Sequence, residues 1–213
     1  MRRLPVYLLL DTSSSMMGEP IESVKTGVKS LLTALRQDPY ALETAYLSVI
    51  TFDNKARQVV PLTELISFQA PDIKANGTTA MGDALRLLTD KIGEEVQKGS
   101  AEHKGDWKPL VFLMTDGGPN DEWKSAVDAF KQVPAGIVVA CGAGDHADTD
   151  VLKRITENVV KIDSNDAAAF AAFFKWVSSS ISTTSKRVDL TKSDVGNKLD
   201  ELPPPPPEVN VVV

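Results

Sequence analysis

Hydrophobic and polar positions fall in alternating blocks along the chain. Residues 5–10 (PVYLLL) form a continuous apolar run that stops at Asp11, the pattern of a strand buried on both faces. From Glu19 to Arg36, Ile21, Val24, Val28, Leu31, Leu32 and Leu35 recur at helical spacing, which predicts an amphipathic helix. Residues 44–52 (TAYLSVITF) read as a second strand. The Asp53-Asn54 turn into 55–62 (KARQVVPL) has no room for a crossover helix, so the third strand is expected to be antiparallel and at an edge. A linker over 62–78 leads to a helix from about Ala80 to Val96, with Met81, Leu85, Leu88 and Ile92 as its apolar stripe. A fourth strand at 109–115 (PLVFLMT) again ends at an acid, Asp116. The series closes with a helix around 121–132, a strand at 136–141, a short helix near 149–156 and a strand at 158–162. A final helix follows at 166–181, with the Ser164 hydroxyl as its cap. The order β-α-β-β-α-β-α-β-α-β-α predicts the α/β class: a doubly wound, mostly parallel, open six-stranded sheet, one antiparallel edge strand, and helices on both faces.

Composition narrows the picture. With 213 residues, 42% of them apolar, the chain can bury one sizeable core, and a single domain is expected over residues 1–184. The opening MRRLPVYLLL imitates a leader peptide, but its apolar run is short and ends at Asp11, so it reads as the first strand. No apolar stretch is long enough to span a bilayer, and a cytoplasmic protein without membrane insertion is expected. The residues past Ser185 lack aromatics, and five of the 13 prolines stand together at 203–207. A disordered, polyproline-rich tail over 185–213 is the expectation; docking of that run into an aromatic groove, or pairing of its VNVVV end with a strand, are the other readings. The net charge of −6, without a Lys/Arg cluster, argues against nucleic-acid binding. Cys141 alone excludes an internal disulfide, and with only His103 and His146 beside it a thiolate/imidazole zinc site cannot be assembled. Any metal chemistry must therefore use oxygen.

Three polar segments supply such oxygens. DTSSSM at 11–16 follows the first strand, NGTTAMG at 76–82 precedes a helix, and MTDGG at 114–118 ends the fourth strand. Each alone has an ordinary reading as a helix cap, a loop or a turn. In an open parallel sheet, however, ligands bind beyond the carboxyl ends of the strands, where successive connections leave in opposite directions. If strands one and four are neighbours there, Asp11 and Asp116 stand side by side, and Thr79 can join them. Carboxylates and hydroxyls together select a hard cation such as Mg²⁺ or Mn²⁺. Two carboxylates leave such a cation short of ligands, so a further acidic oxygen should come from elsewhere.

These three segments resemble the von Willebrand factor type A domain family, in which Asp-x-Ser-x-Ser, a loop Thr and a Thr-Asp-Gly turn form the metal-ion-dependent adhesion site (MIDAS). The resemblance covers about residues 4–184 and implies that Asp11, Ser13, Ser15, Thr79 and Asp116 hold the metal, some through water. It also implies a protein partner that supplies an Asp or Glu carboxylate to the ion. DTSSSMMGEPI, LRQDPYALE, SVITFD and Trp107 before PLVFLMTDG resemble the bacterial TerY branch, associated with tellurium-resistance gene clusters. That implies a stress-resistance complex with a kinase and a phosphatase nearby, and makes the hydroxyls of DTSSS and GTTAMG candidate phosphorylation targets. Ser14 stands where this branch commonly has Gly, and the cysteine-rich extension of some of its members has no counterpart here.

The alternatives are weaker. A Mg²⁺-dependent phosphotransferase or phosphatase using Asp11 would need a second carboxylate two residues on, where Ser13 stands. A binding module rather than an enzyme is the expectation. GAGDHADTD, with His146 and three acids, lacks the pattern of a calcium loop and reads as solvated. Trp107, Trp123, Trp176 and Cys141 read as core, and His103 as exposed.

Overall fold

The computed structural model describes residues 2–102, 104–163 and 166–212; Ser164, expected as a helix cap, and His103, expected to be exposed, lie outside them. The elements in chain order are β1 (Leu4–Asp11), α1 (Glu19–Gln37), α2 (Pro39–Thr44), β2 (Ala45–Phe52), β3 (Ala56–Glu64), α3 (Met81–Glu95) and β4 (Leu110–Thr115). They continue with α4 (Lys124–Phe130), β5 (Val138–Ala143), α5 (Thr149–Ile155), β6 (Val159–Ile162), α6 (Ala167–Thr191) and β7 (Asn210–Val211). The strands form one sheet in the order β3-β2-β1-β4-β5-β6-β7. β2, β1, β4, β5 and β6 run parallel, while β3 and β7 lie antiparallel on the two edges.

β1 is buried along its whole length because both of its faces are covered. Leu4, Val6, Leu8 and Leu10 belong to the core under α1 and α6. Tyr7 and Leu9 belong to the core under α3 and α4. Alternation of side chains across the strand thus divides one apolar run between two layers. The stripe of α1 from Ile21 to Leu35 is buried as its spacing predicts. Gly27 lets α1 approach α6 closely, since a side-chain carbon added there would fall 2.1 Å from the Phe174 ring.

The doubly wound α/β fold and its antiparallel edge strand β3 agree with the sequence reading, with two corrections. The sheet has seven strands rather than six, because the VNVVV end returns to pair with β6 through Val160–Val211 and Lys161–Asn210. The sequence predicts a disordered tail over 185–213; its described residues, 185–212, are instead laid against the domain. α6 runs on to Thr191, and Val195, Leu202 and Val209 are buried. The Trp176 indole Nε1 donates to the Pro203 carbonyl at 2.8 Å, and Arg187 pairs with Glu201. Absence of aromatics did not mean absence of anchors. The α6 cap is Asp166, whose carboxylate accepts the Ala169 N–H at 2.8 Å.

Candidate functional site

The sheet reverses its winding between β1 and β4: β2 lies on one side of β1 and β4 on the other. The register pairs Leu10 with Met114, so Asp11 and Thr115 come opposite each other one step further along. The Thr115 hydroxyl donates to Asp11 Oδ2 at 2.5 Å, and the Ser13 N–H donates to Oδ1 at 2.8 Å. That second bond folds DTSSS back on itself, as Asx turns do. A 3-10 turn over Ser14–Met16 follows, pinned by the fully buried Met16. It brings the Ser13 and Ser15 hydroxyls within 3.0 Å of each other, and Ser15 Oγ donates to Asp116 Oδ1 at 2.7 Å.

The middle segment is sewn between the other two. Asn76 donates its N–H to the Thr12 carbonyl at 2.7 Å, and Ser14 donates to the Gly77 carbonyl at 3.0 Å. Gly77 has φ +75°, and a side chain there would strike Asn54; the turn requires glycine. Asn54 Oδ1 accepts from both the N–H and the hydroxyl of Thr78. Thr79 and Asn120 are joined twice at 3.2 Å, through Thr79 N–H to Asn120 Oδ1 and Asn120 N–H to the Thr79 carbonyl.

Four of the five sequence-designated residues therefore form one hydrogen-bonded chain: Asp11, Ser13, Ser15 and Asp116. Thr79 itself is bonded to Asn120, in the loop that follows Asp116. Its own hydroxyl has no hydrogen-bond partner among the described residues, although the residue is 7% exposed. Asp11 and Asp116 are 1% and 4% exposed, and among the described residues neither forms an ion pair with a Lys or Arg. Burial pushes the Asp11 carboxyl up to about 6, against the hydrogen bonds from Thr115 and Ser13, with a further push from the neighbouring Asp116. Two buried carboxylates with no basic partner are costly unless a cation joins them. No cluster of three or more His, Cys, Asp or Glu suited to a metal occurs among the described residues. A cation site here must draw on the hydroxyls of Ser13, Ser15 and Thr79, and this donor set fits a hard divalent ion.

Three supporting residues escaped the sequence reading. Thr115 holds Asp11, Asn120 holds Thr79, and Asp121 starts α3 by accepting the N–H groups of Gly82 and Asp83 at 3.0 and 2.8 Å. Their signal was the continuation of TDGG into PND, a run of hydrogen-bonding residues in one loop. Elsewhere, Trp107 and Trp176 are buried and Trp123 partly so. Cys141 is fully buried, and burial pushes its thiol well above the usual range. His146 is exposed.

The von Willebrand factor type A domain family matches residues 6–175. The Synechocystis sp. protein sll0103 is 34% identical over 165 residues, which is 72% of this chain and 36% of that protein. The chain thus spans about a third of the curated relative it matches. Among solved structures, the von Willebrand factor type A protein from Catenulispora acidiphila superposes with a TM-score of 0.66 at 19% identity, covering 85% of this chain and 43% of the other. The pilus adhesin SpaC from Lactobacillus rhamnosus GG gives 0.67 at 16% identity, covering 86% and 31%. Proximal thread matrix protein 1 from the mussel byssus gives 0.62 at 20% identity, covering 84% and 48%. At these identities the structures establish the shared fold.

Proposed function

Since the chain belongs to the von Willebrand factor type A domain family, we propose that it is a metal-dependent protein-interaction module whose MIDAS comprises Asp11, Ser13, Ser15, Thr79 and Asp116. The observation that carries the reading is the pairing of two buried acids that have no basic partner among the described residues, bridged by the Ser13 N–H and the Ser13 and Ser15 hydroxyls. Mg²⁺ or Mn²⁺ bound there would supply a Lewis-acidic contact for an Asp or Glu carboxylate of a protein partner. Ser13, Ser15 and Thr79 offer neutral oxygens, while Asp11 and Asp116 provide the negative charge. Thr115 fixes the orientation of Asp11, and Asn120 fixes the height of the Thr79 loop.

The role is binding rather than catalysis. Ser13 occupies the place, two residues beyond Asp11, where a phosphotransferase of this topology would carry its second acid. The likeness of DTSSSM and its flanking segments to the TerY branch supports placement in a bacterial cytoplasmic tellurium- or stress-resistance complex linked to a kinase and phosphatase. No helix among the described residues is long and apolar enough to cross a membrane.

Thermal melts with Mg²⁺, Mn²⁺ or EDTA test the metal. At about 100 times Kd, linkage gives roughly 2.7 kcal/mol of stabilisation, a rise of roughly 5–10 °C for a domain of this size. Asp11→Ala and Ser15→Ala should abolish or blunt the rise. An unchanged melt at millimolar metal would refute the reading, and a pull-down with and without chelator would then test the partner.

A further inference from the structure

We propose that the rim of this site selects a partner carboxylate flanked by Lys or Arg, with an apolar side chain seated on Met17; the proposal rests on the metal-bridged reading above. The sheet places more than the metal-binding residues at this end. Glu19 opens α1 three residues after the Ser14–Met16 turn, and Glu122 lies just before α4. Asp145, Asp148 and Asp150 lie in or beside the connection from β5 to α5. All five are exposed. Because β1, β4 and β5 run parallel, these connections leave from the same edge as Asp11 and Asp116. Asp148 is close to the site: a side-chain carbon added at Gly118 would stand 3.6 Å from its Cβ.

Basic side chains compensate this rim only in part. Lys161 reaches Asp145 at 3.7 Å and Arg86 reaches Glu122 at 3.8 Å, and Lys124 is exposed nearby. Among the described residues Glu19 and Asp148 form no ion pair. The charge of a divalent ion is already balanced by Asp11 and Asp116. An approaching carboxylate then meets surplus negative charge on the connections at this end of the sheet, whose effect salt screens beyond about 8 Å. A partner with acidic flanks is repelled, whereas one with basic flanks gains a favourable contact at each rim acid. Met17 supplies a second, independent pointer. It is 62% exposed, two residues beyond Ser15, and an exposed methionine suits an adaptable apolar contact.

The test uses the full chain and labelled peptides in saturating Mg²⁺, read by fluorescence anisotropy. Each peptide has a central aspartate and a nearby leucine, flanked either by two lysines or by two glutamates. The basic peptide is expected to bind at least tenfold more tightly. In Glu19→Lys/Asp145→Lys/Asp150→Lys the order should reverse, since exposed pairs change affinity by about two- to fivefold each. Neutral Glu19→Gln/Asp145→Asn/Asp150→Asn should fall between them, which guards against a folding defect in the charge-reversed protein. Met17→Ala should weaken the leucine peptide about threefold and leave a serine counterpart unchanged. Equal binding of both charge types, unaltered by either triple variant, overturns the rim and leaves the metal reading standing. So does failure of both peptides to bind a protein that Mg²⁺ stabilises. Absence of any Mg²⁺ stabilisation overturns the metal reading, and the rim proposal with it.

Discussion

Two regions of this molecule lie outside the long helices and strands, and they are ordered by opposite means. At the carboxyl edge of the sheet, the DTSSS, NGTT and TDGGPND loops are tied to one another by polar groups: Ser15 to Asp116, Ser14 to Gly77, Thr79 to Asn120. In the C-terminal segment, order comes from three widely separated apolar anchors, Val195, Leu202 and Val209. The first arrangement gathers two buried carboxylates, Asp11 and Asp116, that form no ion pair among the described residues. The second covers α6 and the free edge of β6. Polar loops in one place create a site, and apolar punctuation in the other closes a surface.

The largest expected effect falls on the second region. Deleting residues 199–213 removes Leu202, Val209 and β7 from the fold. At about 1.5–3 kcal/mol for each buried side chain, the loss should be roughly 3–6 kcal/mol in urea unfolding, with the Mg²⁺-induced shift in Tm unchanged. An unaltered midpoint would return the segment to the unpacked tail expected from sequence, and a lost metal response would join the two regions. Next comes Thr115→Val, which keeps the shape but leaves Asp11 Oδ2 without its hydroxyl donor. Groups that orient metal ligands are typically worth tenfold or more in affinity, so Mg²⁺ titration should show about a tenfold weaker Kd. Unchanged affinity would mean that the Ser13 N–H alone positions Asp11.

The difference between the regions also explains what could be read beforehand. β1 was legible because a run buried on both faces has one interpretation, and its terminal Asp11 stood out against it. Asp116 followed by the same logic from β4. Thr79 was placed by motif and by the reach of its linker, since no periodicity marks it. Thr115 and Asn120 were not legible because their role depends on strand register and a cross-loop bond, neither of which has local spacing. The seventh strand was missed for a related reason. Isolated anchors in a stretch interrupted by Gly196 and by the prolines of 203–207 sustain neither a helix nor a strand, and the partner strand lies some 50 residues away.

Two smaller predictions sharpen the account of the C-terminal segment. Trp176→Phe keeps most of the ring but removes the indole donor to the Pro203 carbonyl. A loss of about 1 kcal/mol is expected, in the range of a neutral hydrogen bond, together with faster amide exchange confined to residues near 203. A uniform loss across the sheet would instead assign Trp176 to the core alone.

The Arg187–Glu201 pair should contribute least. Burial raises the Glu201 carboxyl, but the Arg187 guanidinium and nearby backbone N–H groups outweigh it and hold the group below its ordinary value near 4.5. A depressed folded value means that the unfolded chain binds more protons, so stability rises with pH across the window. The contribution is complete above about pH 5 and fades as pH falls through 4.5 and below. Both side chains are more than a quarter exposed, so solvent screening limits it to about 0.5–1 kcal/mol. Arg187→Met should flatten this part of the acid limb in urea-midpoint measurements from about pH 3 to 6. At neutral pH it should cost less than about 1 kcal/mol, because it also removes Arg187 Nη2, a buried donor without a partner among the described residues. A loss well above that would show that the pair, rather than Leu202 and Val209, holds the segment to α6.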